Sequence, residues 1–275
     1  MSRIYFIVIL CIACWGCKVE IRDRPYANNQ TQNNARAQSS QTEANQEFTQ
    51  QVQPEVTPLP PVTNNLTSRV TGEMYDIVTT AGSMRMRLYN ETPTHRDNFR
   101  KLVGERFYDG TTFHRVINNF MIQGGDPNSR DGNPRNDGQG GPPYTLPAEI
   151  NPTLYHKRGA IAAARQPDRY NPSRSSNGSQ FYIVKGQVFD EATLVEIEDY
   201  LKRQLGDPSF IFSNSARNMY TSQGGYPMLD NQYTIFGELV EGYDVLDAIS
   251  AVQTDGSDRP VEDITIISIR PSRAQ

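Results

Sequence analysis

The chain has 275 residues, with 27 Lys and Arg set against 31 Asp and Glu and a formal net charge of −4. No basic stripe interrupts that balance, which argues against a nucleic-acid partner. The three cysteines, Cys11, Cys14 and Cys17, all precede residue 18, so the rest of the chain can form no internal disulfide, zinc–thiolate site or cysteine nucleophile.

Residues 1–17 read as an export signal. Arg3 gives the positive start, an apolar run follows over 4–13, and the stretch is too short to span a bilayer as a mature helix. Gly16 before Cys17 has the form of a bacterial lipoprotein signal, with Cys17 as the lipidation site and Cys14 where leucine is usual. An ordinary secretory signal is the alternative. A mature domain without cysteine suits an oxidising compartment. The expected location is therefore the bacterial cell envelope, lipid-anchored at the membrane, on the periplasmic face rather than the cell surface. Residues 18–69 are mostly Gln, Asn, Thr, Ser and Pro, with too few large apolar side chains to offset the entropy of ordering. They read as a disordered tether that, as a coil of about fifty residues, holds the domain roughly 40 Å from its anchor.

Residues 70–275 are the right size for one domain with its own core. The runs 74–80 and 84–89 alternate as strands, with Met84, Met86 and Leu88 inward, Arg85 and Arg87 outward, and Ala81-Gly82 at the hairpin turn. Thr92 caps and Pro93 opens a helix whose buried stripe is Phe99, Leu102 and Val103. The rest of the domain is organised around 113–126: short strands either side of Asn118-Asn119, ending at Gly124-Gly125. Period-two alternation puts Arg115 and Ile117 on one face, His114 and Val116 on the other, and Met121 together with Gln123. A cation, an amide and large apolar side chains converge there. A desolvated guanidinium is costly unless something pairs with it.

Residues 132–147 are loop, yet they fit neither a calcium loop, which Arg130 interrupts, nor a nucleotide-binding glycine pattern. No metal site is expected. A strand of very small residues over 159–165 implies a groove or close packing beside it. After a turn at Asn177-Gly178, Gln180 and Tyr182 share one face of the next strand. Residues 190–205 form an amphipathic helix, capped by Asp190 and stopped by Gly206 and Pro208, and a polar segment runs on to about Gly225. Strand 233–239, helix 242–250 and strand 264–269 complete a mainly β antiparallel barrel or sandwich. His95 and His156 have no identifiable triad partner, and His114 reads as structural.

Tyr108-Asp109-Gly110-Thr111-Thr112-Phe113-His114-Arg115-Val116-Ile117, Phe120-Met121-Ile122-Gln123-Gly124-Gly125-Asp126, Ala163-Ala164-Arg165, Asn177-Gly178-Ser179-Gln180-Phe181-Tyr182-Ile183 and Phe236-Gly237-Glu238 follow one another along the chain. In that order they resemble the cyclophilin family of peptidyl-prolyl cis/trans isomerases, over nearly all of 75–269. The resemblance implies an eight-stranded antiparallel barrel closed by two helices, here with an extra helical insertion at about 187–226. It implies Arg115 as the catalytic arginine, Phe120, Met121 and Tyr182 around the proline ring, and Gln123 and Gln180 on the substrate backbone. Ala164 and Arg165 match the strand along which the peptide lies, and Met228, Leu229 and Tyr233 the far wall. Met228, Tyr233, Arg165 and Tyr182 stand where many members have Trp, His, Asn and Phe, which weighs against strong cyclosporin binding. No cofactor is implied, and the expected partners are proline-containing segments of unfolded or exported proteins, met by a monomer.

The chemistry implied is physical. Amide resonance sets a rotation barrier of about 18–20 kcal/mol, and a group that prefers the twisted amide, whose nitrogen has regained a lone pair, lowers it. A non-catalytic module that holds proline segments, or a chaperone surface on the insertion, is the competing expectation.

Overall fold

The computed structural model describes residues 73–272; the leader, Cys17 and the tether lie outside the described residues. β1 (Met74–Thr79) and β2 (Gly82–Leu88) form the expected hairpin, with Met84, Met86 and Leu88 buried. After α1 (Pro93–Gly104) come β3 (Arg115–Ile117) and β4 (Met121–Gly124), then the short β5 (Thr145–Leu146), β6 (Ala160–Ala163), β7 (Ser176–Asn177) and β8 (Phe181–Val184). The chain continues through α2 (Glu191–Leu205), α3 (Asn214–Ser222), β9 (Ile235–Glu241), α4 (Tyr243–Ser250) and β10 (Ile266–Pro271).

Eight of these strands make one antiparallel sheet in the order β10-β1-β2-β9-β6-β8-β4-β3, while β5 pairs with β7 apart from it. The two ends of the sheet meet in front of β3. Ile266 N–H donates to Thr111 O at 2.7 Å, Phe113 N–H to Ile264 O at 2.9 Å, and Gly110 N–H to Ile266 O at 2.8 Å. Curling and joining the sheet in this way removes an open edge that another chain could extend. Inside lie Ile77, Met86, Leu88, Ile122, Ile161 and Ile183, closed off by Phe99 and Leu102 of α1 and by Leu246 and Ile249 of α4. Each such side chain contributes about 1.5–3 kcal/mol of burial free energy.

Two sequence expectations change. Thr92 occupies the cap position of α1, but its hydroxyl makes no capping hydrogen bond. The Glu149 carboxylate does that work from a distant loop, accepting from Thr94 N–H and His95 N–H at 3.0 Å each. A full negative charge at a helix N-terminus satisfies two orphan donors and complements the helix dipole. The second change concerns the stretch after Gly206. It contains a helix, α3, whose Ser213 cap accepts from Ala216 N–H, and its buried Ala216 and Tyr220 pack with Leu194, Ile197 and Leu201 of α2 in a small separate core. With only two buried residues in nine, α3 shows too thin an apolar stripe to stand out as helical by periodicity.

His95 is buried with Nδ1 2.6 Å from Glu149 Oε2 and Nε2 2.9 Å from Ser176 Oγ. This Glu–His–Ser chain is not legible in the sequence, because its members are far apart in order. Ser176 is itself buried, so its hydroxyl is out of reach of a substrate and the chain is a clamp between α1, β7 and the Glu149 loop. Burial holds the His95 ring below the ordinary histidine value of 6.5, with Glu149 opposing, and burial holds His114 down as well, with Asp126 and Asp137 opposing. Both rings are therefore neutral in the fold and take up protons more readily once unfolded. Stability is then fully present above about pH 6.5 and is lost as the pH falls below it. Urea midpoints measured at pH 7.5 and 5.5 are expected to drop at the lower pH with an unchanged slope; equal midpoints would contradict this assignment.

Candidate active site

Register builds the site. Arg115 of β3 lies opposite Gln123 of β4, Gln123 opposite Tyr182 of β8, and Tyr182 opposite Ala162 of β6. Ile117, Met121 and Val184 form the next row on the same face. The residues between, Val116, Ile122, Ile183 and Ile161, point the other way into the barrel core. Two-residue periodicity thus sorts one set of side chains into the core and the other onto a face where Phe120, Met121, Ala162, Ala164, Tyr182 and Leu229 cluster, with Tyr226 and Tyr233 half-buried against them. The alanines of β6 are what make room: a larger side chain at Ala162 would compete with the Tyr182 ring opposite it.

Arg115 stands at the end of this row. Its Nε lies 3.3 Å from Asp258 Oδ2, and its side chain keeps 19% of its surface exposed, enough for an incoming peptide to touch. Asp258 adopts a left-handed backbone at φ 64° and accepts from Val116 N–H at 2.8 Å, so its carboxylate is carried to Arg115 by a loop tied to β3 itself. Nothing in the sequence links residues 143 positions apart, and Asp258 was not foreseen.

The two glutamines are buried and have fixed orientations. Gln180 Nε2 donates to the carbonyls of Gly138 at 3.0 Å and Gly140 at 2.7 Å, which turns its Oε1 toward Gln123 Nε2 at 3.0 Å. The Gln123 amide is thereby oriented with Oε1 as its remaining acceptor. Gln180 orients Gln123, and its own amide nitrogen is committed to the 138–140 loop.

Tyr182 is fully buried, and its hydroxyl lies 3.0 Å from His156 Nε2. His156 Nδ1 lies 2.9 Å from Asp230 Oδ1, which also accepts from His156 N–H at 2.9 Å, while Tyr220 O–H donates to Asp230 Oδ2 at 2.6 Å. A carboxylate on Nδ1 fixes the proton there, so Nε2 accepts from the Tyr182 hydroxyl. The hydroxyl is consumed by that bond, and within the cluster Tyr182 packs as the apolar ring that a phenylalanine would supply. This chain also ties the pocket to α3 through Tyr220. His156 thus has partners that sequence reading did not find.

The other foreseen residues divide. Leu229 and Tyr233 stand in the pocket cluster, with the Tyr233 ring edge-on to Tyr182 at 5.9 Å. Arg165 is buried: its guanidinium lies over the Tyr233 ring at 4.3 Å, donates to Gln232 O at 3.0 Å and pairs with Asp168, which Arg174 also holds. That side chain braces the Tyr233 ring and the 166–177 loop and is not free to meet a ligand. Met228 packs with the α2–α3 core. Tyr226, two residues earlier, stacks on Phe120 with ring centroids 4.0 Å apart. Gly224-Gly225 before it and Pro227 after it were the only signals in the sequence of a special turn at that point.

No group of three or more His, Cys, Asp or Glu able to hold a metal occurs among the described residues. The cyclophilin type peptidyl-prolyl cis-trans isomerase/CLD family profile matches residues 74–270. A Staphylococcus haemolyticus protein whose name places it among peptidyl-prolyl cis-trans isomerases is 33% identical over 195 residues, covering 70% of this chain and 87% of that protein. A Streptococcus pyogenes protein named for both a phosphatase and a peptidyl-prolyl isomerase is 36% identical over 208 residues, but this chain spans only 38% of its length. Among solved structures, a cyclophilin type peptidyl-prolyl cis-trans isomerase of Cryptosporidium parvum superposes with a TM-score of 0.55 at 25% identity, over 74% of this chain and 99% of that one. A second crystal structure of that isomerase was obtained in the presence of the dipeptide Ala-Pro. The chain belongs to the cyclophilin-type peptidyl-prolyl cis-trans isomerases.

Proposed function

We propose that this domain accelerates rotation about Xaa-Pro bonds in exported proteins, as a monomer held at the bacterial envelope by lipid on Cys17. The observation that carries the catalytic part is the cross-strand row of Arg115, Gln123 and Tyr182 beside an apolar cluster. In this reading the prolyl ring enters the cluster of Phe120, Met121, Tyr182 and Leu229, with Tyr233 at the wall. Gln123 Oε1 accepts from a substrate backbone N–H and sets the peptide's register. Arg115 donates to the prolyl nitrogen, which is a good acceptor only while the amide is twisted, so the contact lowers the barrier more than it tightens binding. Asp258 on Nε keeps the guanidinium plane aimed, and burial around the ring replaces water with fixed dipoles. No bond is broken, so no nucleophile or electron carrier has a part in the step.

The refolding of a protein whose slow phase is limited by proline isomerisation tests this. That phase takes tens of seconds at 25 °C unaided, and substoichiometric amounts of the chain are expected to shorten it. A slow phase unchanged by a folded chain would refute the reading. The anchor is tested separately: Cys17→Ala is expected to move the protein from the membrane fraction to the soluble one, and unchanged membrane association would show that Cys17 carries no lipid.

A further inference from the structure

The insertion ends at a turn that delivers an aromatic ring to the pocket. Gly224 and Gly225 have φ of 80° and 155°, and a Cβ on Gly225 would fall 2.3 Å from the His156 carbonyl oxygen, so a side chain there would displace backbone. The next residue is pinned on several sides. Tyr226 N–H donates to His156 O at 2.7 Å, Gly225 exchanges two 3.0 Å hydrogen bonds with Gln187, and Pro227 fixes the chain beyond. The Tyr226 ring therefore has a preset position, and it lies on Phe120 at a 4.0 Å centroid distance and a 30° tilt, closer than any other ring pair among the described residues. Burial pushes the Tyr226 hydroxyl pKa up, with Tyr200 of α2 adding to the push and the Arg115 charge opposing it. Phe120 is buried and Tyr226 is half-buried against the same cluster, so on the isomerase reading the surface that takes the prolyl ring continues into a second aromatic ring.

We infer that Tyr226 is a substrate-contacting residue that sets specificity next to the proline, favouring aromatic and large aliphatic side chains over small ones. The inference rests on the isomerase reading above. An aromatic wall gains ring–ring and dispersion contact from a large apolar neighbour and very little from alanine. It also gives the insertion a part in substrate selection: α2 packs on the 227–229 turn, and α3 leads directly into the Gly224-Gly225 turn that positions Tyr226.

The test uses the whole chain and Xaa-Pro peptides carrying Phe, Leu or Ala immediately before the proline, with a second set varied immediately after it. Wild type is expected to favour Phe over Ala in kcat/KM by roughly tenfold in one of the two sets. Tyr226→Phe retains that ratio and Tyr226→Ala brings it close to one, with the loss carried by KM rather than kcat. Thermal melts check folding; should the alanine chain fail to fold, Tyr226→Leu, which keeps apolar volume without a ring, is judged by the same ratio. A ratio unchanged in the folded variant, or no preference in wild type, overturns the inference. Equilibrium binding of the same peptides gives the same comparison, so an absence of turnover in wild type would sink the isomerase reading while still deciding the role of Tyr226.

Discussion

Replacing Arg115 with alanine is expected to lower kcat/KM for an Xaa-Pro peptide about ten- to a hundredfold while leaving the fold intact. A hydrogen bond from a charged donor contributes roughly 1.5–3 kcal/mol, and 1.36 kcal/mol is a factor of ten in rate. Because the prolyl nitrogen accepts that bond only in the twisted amide, the loss falls on kcat, and KM changes little. Stability is a poor alternative explanation. The Asp258 carboxylate that faces Arg115 is 44% exposed, and surface pairs of this kind are worth about 0–1 kcal/mol. Arg115→Lys keeps the charge but loses the planar fork and the Nε contact to Asp258, so it is expected to recover little of the activity. A variant without Arg115 that keeps wild-type kcat would remove the arginine from the mechanism.

The largest effect on stability is expected at Asp230. Its two oxygens receive His156 N–H, His156 Nδ1–H and Tyr220 O–H, all buried. Asp230→Ala strands all three donors and leaves a cavity where β8, the His156 loop and α3 meet. Breaking a buried charged network of this sort costs about 3–5 kcal/mol. For a domain of this size that corresponds to a fall in Tm of roughly 6–20 °C. Asp230→Asn fits the space but brings an N–H₂ group to a place already supplied with donors, so it is expected to lie between the two. Tyr220→Phe removes a single hydroxyl from a buried carboxylate and is expected to cost about 1.5–3 kcal/mol. Activity should fall with Asp230→Ala as well, since the His156 ring that holds the Tyr182 hydroxyl loses its fixed tautomer. A thermal melt of Asp230→Ala within 2 °C of wild type would show that the network is not what holds the pocket to the insertion.

How much of this was legible in the sequence follows from how local each feature is. Period-two alternation placed Arg115 and Ile117 on one face and grouped Met121 with Gln123, and the registers of β3, β4 and β8 agree because alternation is a property of the strand itself. The hairpin at 74–88 and the α2 cap at Asp190 were readable for the same reason, each being settled within a few residues. The features that were missed are long-range. Glu149 caps a helix 55 residues away, Asp258 reaches Arg115 across 143, and Asp230 meets His156 across 74. Arg165 illustrates the converse: alignment places it beside the substrate, but its side chain is drawn inward by Asp168, Gln232 and the Tyr233 ring. Met228 packs with the α2–α3 core while Tyr226, two residues earlier, stacks on Phe120, an offset set by the tight turn between them. No periodic rule covers a 3₁₀ turn, Pro227–Leu229, that opens on its proline just after Gly224-Gly225-Tyr226.

The most direct test of the central claim is NMR exchange spectroscopy on a short Xaa-Pro peptide with a substoichiometric amount of the chain. Uncatalysed interconversion takes tens to hundreds of seconds. Catalysis at the Arg115 row predicts cis–trans exchange cross-peaks within a second or so with wild type and their loss with Arg115→Ala, while the peptide still binds. Peptide binding at Phe120, Tyr182 and Tyr226 without any exchange in wild type would contradict the account and leave a proline-binding module in place of an enzyme.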